Sequence, residues 1–129
     1  CDEGLTLACK KYGMENIPVA SPSMSAERLS KMAHAGFEHI YASLRVGITG
    51  TATVIDSDTL TFLKKVRAGG SKVYGGFGIS TGEQSKALAD SVDGVVAGSV
   101  FVRLIEKNAA DKKALAEAVE AKARELCGL

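Results

Sequence analysis

Short apolar segments alternate along the chain with longer amphipathic segments, a pattern typical of proteins in which strands and helices alternate. The amphipathic segments begin at residues that favour helix N-termini: Ser25, then Asp56 or Ser57, and Thr81, which has the spacing of a capping box with Gln84. Glycines follow most of the helical segments, as expected at helix C-termini. The pattern predicts helices over residues 3–12, 26–35, 57–68, 82–90, 100–107 and 111–126, and strands over 17–20, 39–44, 72–77 and 94–97.

The predicted strands lie roughly 20–35 residues apart, and a helix follows each of them. This repetition predicts a parallel sheet. Strands of a doubly wound sheet are buried on both faces and consist mainly of Val, Ile and Leu, whereas these strands are short and contain Gly, Ser, Tyr and Ala. Small residues suit the interior of a barrel, but a complete (β/α)8 barrel needs eight strands and about 250 residues. We therefore predict an α/β chain with a single domain over residues 1–129, with about half the elements of a TIM barrel.

Composition and charge exclude several classes of function. The 129 residues include 16 Lys and Arg against 15 Asp and Glu, a formal net charge of +1, with the two signs interspersed. No clustered positive face is available for nucleic acid, and no apolar run reaches the ~18 residues that span a bilayer. The three cysteines, at positions 1, 9 and 127, form no CxxC pair and indicate a reducing compartment rather than a disulfide framework or a zinc site. Residues 1–4 have no signal-peptide pattern, and because the chain starts with Cys we expect a fragment or a processed product.

Three loops that follow predicted strands combine glycine with a hydroxyl residue. They lie at residues 47–50, 76–80 and 98–99, and a helix starts directly after the third loop. Glycine lets main-chain N–H groups approach an anion closely, and a helix start adds its positive dipole end. In TIM barrels the loops after the last two strands commonly form a phosphate site, the place that Gly78 and Gly98 would take if these strands were the last four. The loops indicate a phosphate site; the alternative is that the glycines serve only tight turns.

Other side chains give weaker indications of chemistry. Tyr41 and Phe77 lie near strand ends, where they would either flank an aromatic ligand or belong to the core. We expect His34 to face solvent near a helix end and His39 to pack at a strand start, since neither has an obvious Ser or Cys nucleophile as a partner. Asp56 is expected to cap a helix, and no pair of converging carboxylates is visible in the sequence.

Three segments resemble the tryptophan synthase alpha chain family in their order and spacing. They are YASLRVGITG at residues 41–50, GFGIS at 76–80 followed by Glu83-Gln84, and DGVVAGS at 93–99 followed by RLIE at 103–106. The resemblance extends from about Gly4 to Leu126 and corresponds to the second half of that family's barrel. It implies a TIM (β/α)8 barrel of which this chain supplies the last four βα units, a half-barrel.

The resemblance also implies a function. The family is a cytoplasmic lyase of tryptophan biosynthesis that cleaves indole-3-glycerol phosphate into indole and glyceraldehyde 3-phosphate. It implies no cofactor or metal for this chain, because pyridoxal phosphate belongs to the beta chain that receives the indole. The family pattern assigns the substrate phosphate to four residues: Gly50, Gly78, Gly98 and Ser99. Tyr41 and Phe77 would line the indole side, and Thr49 would lie in the loop that closes over the substrate.

The sequence departs from the family in ways that bear on activity. The family's catalytic glutamate and aspartate lie in the first half of the barrel, and no position of this chain corresponds to them. Because the cleavage requires proton transfer, we predict that this chain binds phosphate but is inactive alone. His39 replaces a usual aromatic residue and Val46 a small or polar one, which affects fine substrate contacts.

The expected partners are indole-3-glycerol phosphate, the beta chain, and either an N-terminal half-barrel or further copies of this chain. Two alternative functions stay open. One is a non-catalytic, phosphate-binding half-barrel that assembles with itself. The other is a different phosphate-binding TIM-barrel lyase or isomerase.

Overall fold

A computed structural model describes residues 4–44 and 54–129 of the chain. Each predicted helix and strand overlaps an observed one. In chain order the elements are α1 (Leu5–Lys11), β1 (Val19–Ala20), α2 (Ala26–Ala33), β2 (His39–Ser43), α3 (Ser57–Arg67), β3 (Lys72–Gly76), α4 (Gly82–Leu88), β4 (Gly94–Val96), α5 (Ser99–Asn108) and α6 (Lys112–Cys127).

The four strands form one parallel sheet in the order β1-β2-β3-β4. This confirms the α/β class and the parallel sheet. The order runs in one direction, whereas the strand order of a doubly wound sheet reverses at a switch point. Because crossovers between parallel strands are right-handed, a sheet that grows in one direction receives its connecting helices on one face.

The hydrophobic core lies between this face of the sheet and the connecting helices. Alternate strand residues point into it and are fully or almost fully buried. Its strand members are Ala20, Ile40, Ala42 and Val73. Its main helical members are Leu29, Phe62, Leu63, Val66 and Leu88.

The opposite face of the sheet is less covered by the described residues, and we call it the open face. It carries Val19, Tyr41 and Tyr74, which are register partners across β1, β2 and β3. It also carries Val96 of β4, which pairs with Gly76, two residues beyond Tyr74. The side chains of Val19 and Val96 are 54% and 42% exposed. The prediction of a buried strand over residues 17–20 is therefore wrong in part: β1 has two residues, and Ile17 lies outside it and is exposed. Only Ala20, on the core face, is buried, because burial here depends on which face of the sheet a residue occupies.

Local capping predictions are confirmed. The carboxylate of Asp56 accepts a hydrogen bond from the backbone N–H of Thr59 at 2.8 Å, and Ser25 caps α2 in the same way. Thr81 and Gln84 form a complete capping box at the start of α4. The N-termini of α2, α3 and α4 are therefore determined by short-range hydrogen bonds that the sequence reveals.

The described cysteines, Cys9 and Cys127, are free thiols, the first buried and the second exposed. Within residues 4–44 and 54–129, none of the helices has both the length and the hydrophobicity needed to cross a bilayer.

Candidate functional site

Two of the glycine loops lie side by side at one edge of the sheet. Phe77 and Gly78 follow β3, and Gly98 and Ser99 follow β4, its hydrogen-bonded neighbour. The last residues of these strands, Gly76 and Val96, are register partners, and the strands run parallel. The carboxyl ends of both strands therefore deliver their loops to the same place. The predicted Thr49 and Gly50 lie outside the described residues.

The backbone at the end of β3 takes an unusual path. Phe77 and Gly78 both have a φ of +86°, in the left-handed region. Glycine adopts this conformation without strain, so the conformation favours glycine at position 78. For Phe77 it costs on the order of 1–3 kcal/mol, and such strain concentrates at functional sites. The side chain of Phe77 is also 41% exposed, which is unusual for an aromatic residue beside a core strand. Of the two roles considered for Phe77, the exposure favours a ligand contact over a core position.

Gly98 presents a different case from Gly78. Its φ is −127°, which any L-residue can adopt, and among the described residues nothing lies within 4 Å of the position that a Cβ would occupy. Neither a turn nor packing with these residues therefore requires glycine at this position. A missing side chain here leaves the backbone open to close approach by a ligand.

The start of α5 offers hydrogen-bond donors at this point. Gly98 is the N-cap and makes no side-chain capping hydrogen bond, while its carbonyl accepts from the N–H groups of Phe101 and Val102. By helix geometry the N–H groups of Ser99 and Val100, which precede these two, have no acceptor within the helix, and the dipole of a ten-residue helix favours an anion there. Ser99, the first residue of α5, is exposed and contributes a hydroxyl group to the same helical turn. This arrangement can bind a phosphate group.

Tyr41 reaches toward the same edge from β2. Its hydroxyl lies 2.5 Å from where a Cβ on Gly76 would stand, so the absence of a side chain at Gly76 gives the phenol its space. Partial burial raises the pKa of Tyr41, which keeps the hydroxyl protonated at neutral pH. Gly76 directly precedes Phe77, so two aromatic side chains flank the end of β3 near the glycine loops.

The loop between β3 and α4, residues 77–81, is fixed by several contacts, and we call it the β3–α4 loop. Ile79 is 1% exposed and anchors it in the core. The side-chain oxygen of Gln84 accepts hydrogen bonds from the backbone N–H groups of Ser80 at 2.8 Å and Thr81 at 3.1 Å. These contacts hold the backbone that follows Gly78 in one conformation.

Two residues of α6 that the sequence analysis missed also contact this region. Lys122 donates a hydrogen bond from its ammonium group to the carbonyl of Ser80, and Glu125 accepts one from the backbone N–H of Gly82. Lys122 and Glu125 also form a salt bridge with each other. Their spacing is ordinary for a surface ion pair on a helix, and no local pattern links α6 to a loop some 40 residues earlier.

The two histidines lie away from the glycine loops. His39 begins β2, at the opposite end of the sheet; its Nδ1 is 2.8 Å from both carboxylate oxygens of Glu15, and its ring packs on Tyr74. His34 is exposed at the end of α2. Both positions agree with the predicted structural roles. In the described part of the chain, the group of side chains able to hold a metal ion is Glu15, Glu38 and His39. This group lies away from the glycine loops that follow β3 and β4.

Comparisons with known proteins agree with this geometry. The sequence matches the family described as tryptophan synthase alpha chain over residues 2–128. A tryptophan synthase alpha chain of Methanosarcina barkeri is 36% identical over 120 residues, which are 92% of this chain and 44% of the relative. One of Helicobacter hepaticus is 38% identical over 107 residues, 82% of this chain and 40% of the relative.

Solved structures give the same result. A structure of the tryptophan synthase a2b2 complex from Pyrococcus furiosus includes a chain that superposes with a TM-score of 0.80 at 26% identity, covering 99% of this chain and 51% of that one. The alpha-subunit of the same organism carrying D146A gives a TM-score of 0.77. The chain is thus an α/β protein with a parallel sheet, and two glycine loops lie side by side at one edge of that sheet. It belongs to the tryptophan synthase alpha chain family, and it spans about half the length of the relatives it matches.

Proposed function

We propose that this chain is the C-terminal half-barrel of a tryptophan synthase alpha chain and supplies the substrate phosphate site of an indole-3-glycerol phosphate lyase. Family membership supports the activity, and the one-directional sheet with a less covered face supports the half-barrel. The reaction would yield indole and glyceraldehyde 3-phosphate, in the cytoplasm, with no cofactor on this chain.

The observation that carries the proposal is the pairing of two loops at one edge of the sheet. Gly78 and Gly98 follow register-paired strands, and none of the described residues fills the space beside Gly98, where the first N–H groups of α5 lie. A phosphate there would accept hydrogen bonds from these groups and from the hydroxyl of Ser99. Gly50, which follows β2 in the sequence, would complete the set.

The remaining substrate contacts follow from the same edge. Phe77 and Tyr41 supply apolar surface for an indole ring next to the phosphate loops, and a protonated Tyr41 hydroxyl can donate a hydrogen bond. Thr49 would lie in the loop that closes over the substrate. The indole would pass to a beta chain that carries pyridoxal phosphate; the complex whose alpha chain this chain resembles is an a2b2 assembly.

Catalysis would require residues from outside this chain. Binding the phosphate gives affinity that is equal in the ground and transition states and does not by itself accelerate cleavage. Proton transfer at the indole ring and at the glycerol hydroxyl needs an acid and a base. A complementary N-terminal half-barrel would supply them and would cover the open face. Association of two copies would cover that face without supplying the acid and base, which is the non-catalytic alternative.

A charge reversal at Ser99 tests the phosphate site. In the Ser99→Asp variant a fixed carboxylate occupies the space of the phosphate, so binding of glycerol phosphate should be abolished. The matched control is Ser57→Asp, because Ser57 is also an exposed first residue of a helix, α3, which follows β2 rather than β4. Calorimetric titration of the parent and both variants with glycerol phosphate measures the effect.

We expect binding by the parent chain and by Ser57→Asp, and none by Ser99→Asp. Equal affinities of all three proteins would contradict the site assignment. A second assay distinguishes the two candidate functions. Release of indole after an N-terminal half-barrel is added supports the enzyme. Formation of a complex with that half-barrel without release of indole supports the non-catalytic assembly.

A further inference from the structure

The C-terminal helix α6 contacts the β3–α4 loop through a pair of charged side chains. The ammonium group of Lys122 lies 3.3 Å from the carbonyl oxygen of Ser80, and the carboxylate of Glu125 lies 3.0 Å from the backbone nitrogen of Gly82. These two contacts fall on either side of Thr81, the N-cap of α4. The end of the loop is therefore held between its own helix and a helix from the C-terminus of the chain.

The backbones of α4 and α6 also approach closely at this point. A Cβ on Gly82 would lie 2.5 Å from the carbonyl oxygen of Glu125, a distance that real side chains do not adopt. Glycine at position 82 thus lets the last turns of α6 sit directly against the first turn of α4. The side-chain contacts of Lys122 and Glu125 are built on this close approach, which restricts the freedom of both residues.

The salt bridge between Lys122 and Glu125 links the two contacts. Hydrogen bonds from the Lys122 ammonium and from the Gly82 N–H hold the pKa of Glu125 below its usual value, so the carboxylate stays charged at neutral pH. The Lys122 side chain is 21% exposed, far less than the other cations that pair on α6, Lys113 at 88% and Arg124 at 61%. The pair is neutral overall, so its effect on an anion nearby comes from geometry rather than from net charge.

We propose that Lys122 and Glu125 are positioning residues of the phosphate site, which hold the β3–α4 loop so that the backbone of Gly78 faces the anion. The inference rests on the proposed function, because it assigns these residues to the same site. Neither side chain contacts the phosphate; they act through Ser80 and Gly82. Preorganised donors bind an anion more tightly because the ordering cost is already met in the free protein.

Four variants of α6 test the proposal. Lys122→Met keeps an unbranched side chain of nearly the same length but removes both of its polar contacts, while Lys122→Arg retains donors for Ser80 and Glu125. Lys113→Met is the matched control, because it removes the same charge from the same helix at an exposed position whose pair with Glu117 does not touch the loop. Glu125→Gln removes the salt bridge but keeps an acceptor for Gly82, and it serves as a second test should Lys122→Met fail to fold.

Two measurements separate positioning from general stability and from the proposed function. Hydrogen exchange of the Gly82 amide in the free chain reports the order of the loop. Calorimetric titration with glycerol phosphate reports the site. We expect Lys122→Met to accelerate this exchange and to raise the dissociation constant at least fivefold. Lys122→Arg and Lys113→Met should stay within twofold of the parent in affinity.

An unchanged dissociation constant in Lys122→Met, or equal weakening in Lys113→Met, would overturn the positioning role. Faster exchange in Lys122→Met with unchanged affinity would assign the pair to stability alone. If the parent chain binds no glycerol phosphate, the phosphate site itself is contradicted, and with it the role of Lys122 and Glu125. The hydrogen exchange measurement would still report whether α6 orders the β3–α4 loop.

Discussion

Replacing Val96 with lysine should weaken the association that covers the open face of the sheet. The Val96 side chain is 42% exposed in this chain. Since complete burial of a valine contributes ~1.5–3 kcal/mol, covering the remaining surface is worth about 1 kcal/mol. Bringing a lysine ammonium into an apolar interface adds a cost of at least ~2 kcal/mol. The sum, about 3 kcal/mol, corresponds to a dissociation constant raised at least about a hundredfold.

Sedimentation equilibrium over a concentration series from micromolar upward measures this effect. The parent chain should form an assembly, and Val96→Lys should dissociate at much higher concentrations. Val102→Lys is the control, because Val102 is similarly exposed, at 53%, but lies on α5 rather than on the sheet. The half-barrel reasoning would be refuted by a single parent species near the chain mass of 13.4 kDa whose cooperative thermal unfolding is independent of concentration.

Two further predictions concern activity and pH. The chain alone should release no indole from indole-3-glycerol phosphate in a steady-state assay, because the family resemblance assigns the catalytic acid and base to the other half of the barrel. Turnover comparable to that of a full-length alpha chain would show that the catalytic residues lie within these 129 residues. Hydrogen bonds from the backbone and hydroxyl of Thr59 lower the pKa of Asp56 below its ordinary value of 3.8. The ionised Asp56 carboxylate therefore stabilises the folded chain above pH 3.8, and this stabilisation is lost as the pH falls through the pKa of the folded state. Asp56→Asn, which keeps an acceptor but does not titrate, should therefore show a smaller acid-induced fall in Tm by circular dichroism than the parent; identical pH profiles would contradict this role.

Short-range features of this fold were predictable from the sequence, and longer-range ones were not. The cap at Asp56 and the capping box at Thr81 depend on residues three positions away, so the sequence contains their full explanation. Val19 is exposed because few of the described residues cover the open face. The chain spans only about half the length of its relatives, so a local pattern does not show what covers this face. Apolar patterning does not distinguish a strand residue that faces its own helices from one that faces a separate segment.

The candidate site divides in the same way. The glycine and serine at positions 98 and 99 were predicted because a Gly-Ser pair between a strand and a helix has a local physical meaning. The left-handed backbone conformation of Phe77 was not predictable from the sequence, because a bulky aromatic residue normally avoids that conformation. The contacts of Lys122 and Glu125 with the β3–α4 loop arise only when α6 packs against α4, which periodicity alone does not reveal.

The most direct test of the phosphate site follows backbone amides by nuclear magnetic resonance during a titration with glycerol phosphate. We expect the amide signals of Gly78, Gly98 and Ser99 to shift together with one dissociation constant. The amide of His39, at the opposite end of the sheet, should stay in place. Shifts confined to other parts of the chain, or the absence of any shift at saturating glycerol phosphate, would contradict the claim that this chain holds the substrate phosphate.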